Sequence, residues 1–302
     1  MGRILWVVKK AYRVIYPYKQ RLVAKVVSHY YRNNMDVEIR EIMEYVKKRG
    51  YIDVFNYPFA ERYEYYTTDV KKDRESGLLY VEYHGRPMYF SREYRTAKSC
   101  IKYLRGLLIE QDADSPHRYV EKGFDVAEGD IVVDAGVAEG NFALAVVKRV
   151  SKLILVECDK YWIEALKQTF APEIASGKVV LIPKMLRDKN NQKEVSLDAI
   201  YSKYGEIGFV KMDIEGGEVR ALRGGSICME KSPSIKLAVC AYHTADACRA
   251  IRDVFKENQG KYCFRLGHSK GYMYYNFVLH YGLPYLRRGV IRAMKVQKVQ
   301  KA

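Results

Sequence analysis

From residue 130 onward the chain keeps a rhythm that few folds can accommodate. "DIVVDAGVAEGNFALAVVKRV" reads as an apolar strand, a glycine turn and a helix. "KLILVECD" is a second strand, residues 160–170 a helix, and "KVVLIPKML" a third strand. Residues 196–204 read as a short helix, and "IGFVKMDIEGGE" as a fourth strand with its exit loop, followed by a helix through residue 224. "SIKLAVCAYHT" is a fifth strand and residues 245–259 a helix; "YCFRLGHSK" and "MYYNFVLHY" are expected to form a closing antiparallel pair. Strands alternating with helices specify an α/β architecture, a mostly parallel sheet with helices on both faces.

The residues before this rhythm read differently. Asp36 can cap a helix running to Arg49, with Ile39, Ile42, Met43 and Val46 as its apolar stripe and Gly50 as its stop. "LLYVEYHGRPMYF" reads as two short strands around a turn at His84–Pro87, and residues 92–109 as a helix with Ala97, Ile101, Leu104 and Leu108 inward. The expected division is a basic amphipathic arm (1–35), an α+β extension (36–109), the α/β domain (110–281) and a basic tail (282–302).

The net charge of +16 resides in the ends. Residues 1–32 carry eight Lys or Arg and no acid, and residues 281–302 six more and no acid. The body between them holds 38 basic and 36 acidic side chains and is nearly neutral. The first segment alternates apolar and basic residues, with Pro17 ending or kinking a helix. Leu5, Trp6, Val7 and Ile15 can enter the interface of an anionic membrane, which makes such a surface an expected partner. A nearly neutral body argues against nucleic acid, although basic ends permit it. The six cysteines form no C-x-x-C pair, no signal peptide is visible, and no apolar run reaches the ~20 residues of a membrane span. These features suit a cytoplasmic chain attached at most peripherally to the inner membrane face. The 27 tyrosines, dense between Tyr51 and Tyr103, suit a half-buried sheet, or sugar and interface contacts.

In an open parallel sheet, ligands bind beyond the carboxyl ends of the strands. The loops there carry Asp134, Gly136, Gly140 and Asn141, then Glu157, then Met185, then Asp213 to Glu218, then Tyr242 and His243. Glu157 follows Asp134 by 23 residues and ends the second strand, where a carboxylate can accept from both hydroxyls of a ribose. The turn reads D-x-G-x-x-x-G rather than G-x-G-x-x-G. An acid ahead of it repels a pyrophosphate but suits a cationic ligand such as S-adenosylmethionine.

"VVDAGVAEGNFAL", "LVECD", "SLDAI", "FVKMDIEGGEVRALRGG" and "AYHTADACRAI" together resemble the motifs of FkbM-family S-adenosylmethionine-dependent methyltransferases, over about residues 110–281. The resemblance implies the seven-stranded class I (Rossmann-like) fold and S-adenosylmethionine as cofactor. In it, Asp134, Gly136 and Gly140 shape the cofactor site, Glu157 holds the ribose, and Asp213 lies near the methyl group. It also implies O-methylation, often of sugars or polyketide-type natural products; a glycan hydroxyl in polysaccharide biosynthesis is the expected acceptor, and the basic ends extend that expectation to a lipid-linked sugar. Ala138 departs from the pattern, since a glycine is common there.

"EQDADSPHRY" precedes the first strand of this domain and can cross the carboxyl edge of the sheet. Glu110 is then placed to meet the cofactor's amino group, with Ser115 and His117 lining the same pocket; the alternative is a capping loop whose acids bond backbone amides. For the acceptor's proton, His243 is the candidate base, and Asp213 and Glu215 can orient it, bind a divalent metal or fix the acceptor. No tight ligand motif marks a metal site. Nucleic-acid methylation and a non-catalytic membrane or assembly role on the same fold are the competing readings; no N-P-P-Y-type or Pro-Cys motif supports base methylation.

Overall fold

The computed structural model describes residues 19–275 and 282–296. The expectation for Leu5, Trp6, Val7, Ile15 and Pro17 falls outside the described residues. A helix α1 (19–30) precedes α2 (Val37–Arg49), the antiparallel strands β1 (Lys71–Lys72), β2 (Leu79–Tyr83) and β3 (Arg86–Tyr89), and α3 (Ala97–Glu110). Then come β4 (Ile131–Ala135), α4 (Asn141–Val146), β5 (Lys152–Val156), α5 (Lys160–Thr169), α6 (Ala171–Ala175) and β6 (Val179–Ile182). Next are β7 (Met185–Leu186), β8 (Glu194–Val195), α7 (Leu197–Tyr204), β9 (Phe209–Met212), α8 (Glu218–Arg223) and α9 (Ser226–Lys231). The chain closes with β10 (Lys236–Cys240), α10 (Ala247–Glu257), β11 (Cys263–His268), β12 (Met273–Tyr274), β13 (Leu286–Arg287) and β14 (Val290–Val296).

Seven strands form one sheet in the order β11-β14-β10-β9-β4-β5-β6, and β14 runs antiparallel to both its neighbours. The remaining pairings are parallel. Alternate residues feed opposite layers. Val132, Leu153, Phe209 and Ala238 join one core, while Val133, Ile154, Val210 and Val239 join the other. Burial on both faces is why these strands read as unbroken apolar runs.

β14 corrects two expectations. Its residues were assigned to a basic tail, and the antiparallel partner of β11 was sought in "MYYNFVLHY". The structure pairs Cys263–His268 with Val290–Val296 instead. Met273–Tyr274 forms a short pair with Leu286–Arg287, and residues 276–281 fall outside the description. Arg287 and Arg292 are buried; Arg292 meets Glu121 at 2.5 Å. The apolar residues between the basic ones therefore carry the segment into the core, where Arg292 meets an acid and Arg287 donates to backbone carbonyls.

Smaller differences have local causes. The hairpin turns on His84–Gly85 alone, both with positive φ (51° and 71°), a two-residue turn matching strand twist; Pro87 lies inside β3. α3 begins at Ala97 rather than residue 92, because Thr96 and Ser99 form a reciprocal cap. "KVVLIPKML" breaks after Ile182, and Met185–Leu186 pairs with Glu194–Val195 in a separate sheet. α2 has the expected stripe, cap and glycine stop. The boundary at 109/110 does not separate two cores: Cys100, Leu104 and Leu107 of α3 pack in one cluster with Val132 and Phe142.

Candidate functional site

A cavity of about 370 Å³ opens at the carboxyl ends of β4, β5 and β9. Gly136, Glu157, Met185, Asp213 and Glu215 line it, as the sequence pattern suggests. Ala138, Trp162, Lys184 and Arg187 line it too and were not anticipated.

The glycine turn is shaped by the protein itself. Gly136 has φ 69°, and a Cβ there would stand 1.7 Å from the carbonyl oxygen of Asp213. Gly140 has φ 84°, and its Cβ would stand 2.9 Å from the Phe170 ring. The close approach that demands glycine is therefore to backbone and core, not to a ligand. Between them Ala138 adopts φ 49°, a left-handed conformation that strains any residue with a Cβ. Its amide donates to Glu157 Oε2 at 3.0 Å, while the amides of Cys158 and Asp159 donate to Oε1 at 2.8 Å. An ionised carboxylate has about four acceptor positions, so Glu157 keeps capacity toward the cavity.

Asp134 does not face the cavity. It is fully buried, 3.0 Å from the Lys211 ammonium, its register partner on β9. Lys211 also donates to the carbonyls of Ala135 and Gly136. Burial works against both charges. It raises the Asp134 pKa, but the carboxylates of Asp134 and Asp213 outweigh it at Lys211 and raise that pKa. We take the pair as ionised, because the ammonium has two carboxylates and two carbonyls around it. Glu139, in the same turn, accepts from the Tyr103 hydroxyl at 2.5 Å, and burial pushes its pKa up to about 7.

The second cluster centres on Asp213. The hydroxyls of Tyr119 and Tyr242 each donate to its carboxylate at 2.9 Å. The Nε2 atoms of His243 and His117 stand 3.2 and 3.5 Å from it. Burial opposes its charge, yet the two histidines and Lys211 hold its pKa well below the usual range. His243 is itself buried, with Nδ1 2.9 Å from Glu218 Oε1. Its contacts are charge pairs rather than well-aligned hydrogen bonds. Burial alone would depress its pKa; Asp213 and Glu218 outweigh that and push it up to about 10. Glu218 also accepts from the Ile214 amide at 3.0 Å, so it closes the loop from within.

The surroundings weigh against the role expected of His243. A general base must be neutral at working pH, and two carboxylates beside this imidazole favour its protonated form. Asp213, Glu218 and His243 have metal-ligand donor types, and their ligand atoms lie within 4.8 Å of one another. Glu215 differs from its neighbours. It is exposed, lines the cavity, and has φ 54°.

The loop "EQDADSPHRY" does cross the carboxyl edge, but not to line the cavity. Glu110 ends α3, half-buried, where burial raises its pKa against the opposing influence of His117. Ser115 Oγ accepts from the His117 amide at 3.2 Å and shapes the turn. His117 sits under Asp213, 3.0 Å from the Tyr242 hydroxyl. Asn141 faces a separate cavity beside Tyr63 and Tyr83. Lys211 and Tyr119 were missed. A lysine inside the apolar run "FVKM" was the available signal, since a buried charge needs a partner.

Residues 136–262 match the family model described as the methyltransferase FkbM domain. No curated protein matches the chain in sequence. Among solved structures, methyltransferase FkbM from Methylobacillus flagellatus KT aligns at 16% identity and TM-score 0.45, over 64% of this chain and 54% of that one. This chain thus spans about half the length of that protein. A putative rRNA methylase from Clostridium thermocellum aligns at 15% and TM-score 0.40, over 57% of this chain and 89% of that one. A SAM-dependent O-methyltransferase from Thermotoga maritima aligns at 14% and TM-score 0.38, over 60% and 64%. The seven-stranded sheet with one antiparallel strand is the architecture expected of class I methyltransferases, and residues 136–262 are similar to the FkbM methyltransferase domain.

Proposed function

We propose that this chain, whose FkbM-type domain makes it an S-adenosylmethionine-dependent methyltransferase, methylates a hydroxyl oxygen of a glycan or lipid-linked sugar, and that Glu215 receives the proton. The observation that carries the proton assignment is the contrast at the end of β9. Asp213 is surrounded by two hydroxyls and two imidazoles, His243 is protonated, and Glu215 stands exposed beside them with its carboxylate 3.7 Å from His243.

The residues present fit the cofactor. Glu157 retains acceptor capacity toward the cavity for a ribose, Gly136 and Ala138 of the turn border it, and Asp213 and Glu215 give it a negative wall. When bound, S-adenosylmethionine supplies a methyl group on a cationic sulfur. The chain's own work is then positional and electrostatic. Glu215 accepts a hydrogen bond from the acceptor hydroxyl and orients its lone pair. As positive charge builds on that oxygen, the carboxylates stabilise it at short range. A methylated hydroxyl that still holds its proton is a far stronger acid than a carboxylic acid, so a carboxylate suffices and a neutral histidine is not required. Glu218 and His243 hold the loop in its strained form.

Two experiments test this. Glu215→Gln should lower turnover by about 10²–10⁴-fold, measured at saturating cofactor, with S-adenosylmethionine binding weakened far less by calorimetry; wild-type turnover would remove the assignment. Methyl-labelled cofactor should mark glycolipid or polysaccharide fractions as sugar ethers. Label appearing in RNA would favour the nucleic-acid reading, and absence of cofactor binding would favour a non-catalytic role.

A further inference from the structure

The helix α1 buries one face and leaves an unusual one outside. Val23, Ala24, Val27 and Tyr31 pack into a cluster with Ile39, Ile42, Val46 and Leu286. On the outer face, Leu22, Val26 and Tyr30 are 64%, 38% and 47% exposed. They are spaced four residues apart and so form a single apolar row. Arg21, Lys25 and His29 are exposed one position earlier in each turn and form a second row beside it. No acid occurs in residues 1–32, so nothing on this segment offsets the charge.

α1 is also tied to the site. The Tyr285 ring meets Tyr30 edge-on at 5.1 Å, and the Leu286 amide donates to the Tyr31 hydroxyl at 3.0 Å. The next residue, Arg287, donates to the carbonyl of Tyr242 at 2.8 Å. The helix is therefore linked, through residues 285–287, to the end of β10. Among the described residues no helix is long and apolar enough to cross a membrane.

We propose that the outer face of α1 docks on an anionic lipid bilayer, with Leu22, Val26 and Tyr30 entering the headgroup boundary and Arg21 and Lys25 meeting lipid phosphates. The proposal rests on the glycan reading and deepens it, since a chain held at a bilayer meets lipid-linked sugars there. A cationic row alone would suit any polyanion. An apolar row in register beside it gains only where a nonpolar phase lies next to the phosphates.

The test is flotation of the full chain with vesicles of phosphatidylglycerol and phosphatidylcholine, against vesicles of phosphatidylcholine alone. Wild type should bind only the anionic vesicles. Leu22→Ser/Val26→Ser and, separately, Arg21→Glu/Lys25→Glu should each weaken binding by about tenfold or more. Both pairs are on the surface, so S-adenosylmethionine affinity should remain at the wild-type value, which checks folding and keeps this result separate from the methyltransferase reading. Undiminished binding by the serine pair would overturn the proposal, leaving a purely electrostatic attachment. A wild-type dimer that the serine pair dissociates, without vesicle binding, would assign the row to a second copy of the chain instead.

Discussion

The loop leaving β4 and the loop leaving β9 border the same cavity but are held in opposite ways. The first is fixed by backbone contact: Gly136 lies against the Asp213 carbonyl and Lys211 gathers the turn's carbonyls. The second is fixed by side chains, through Glu218, His243, Tyr119 and Tyr242. A turn clamped by its backbone tolerates no added atom. A loop clamped by ionisable side chains answers to pH and leaves one carboxylate, Glu215, outside the clamp.

The harshest test of this contrast is Gly136→Ala. Its methyl would occupy the place of a carbonyl oxygen, so we expect a loss beyond about 4 kcal/mol or no soluble protein. Retention of wild-type thermal stability would show that the turn yields. Next, Lys211→Met leaves Asp134 buried without its partner, at about 3–5 kcal/mol near neutral pH. Urea unfolding should show the deficit shrinking in acid, where Asp134 takes up a proton; a deficit independent of pH would deny the ion pair.

The β9 loop should respond the other way. The folded pKa of His243 lies above its unfolded value of about 6.5, so its contribution is complete below that value and is lost as pH rises through about 10. The advantage of wild type over His243→Asn should be about 2–3 kcal/mol at pH 6 and should fade toward pH 10. A constant advantage would mean the imidazole is neutral, and would return it to candidacy as a base. The smallest effect belongs to Ala138→Gly, which removes the left-handed strain and should add about 0.5–1 kcal/mol. A loss there would show that the Ala138 methyl makes packing contacts worth more than the strain.

The sequence by itself determined the parallel core, the glycine turn and the acids at the strand ends. These are local signals: apolar runs long enough for buried strands, glycines where φ is positive, and carboxylates just beyond the strands. Glu157, Met185, Asp213 and Glu215 were legible for that reason, and all border the cavity. Only the tertiary structure decided which charges neutralise one another. Asp134 and Lys211 are 77 residues apart and become neighbours through strand register alone. His243 acquires its charge from residues on two other elements, and β14 joins the sheet from a segment whose lysines and arginines read as a tail. Periodicity reports which face of an element is buried, but not what faces it. A side chain's protonation state depends on that opposing surface.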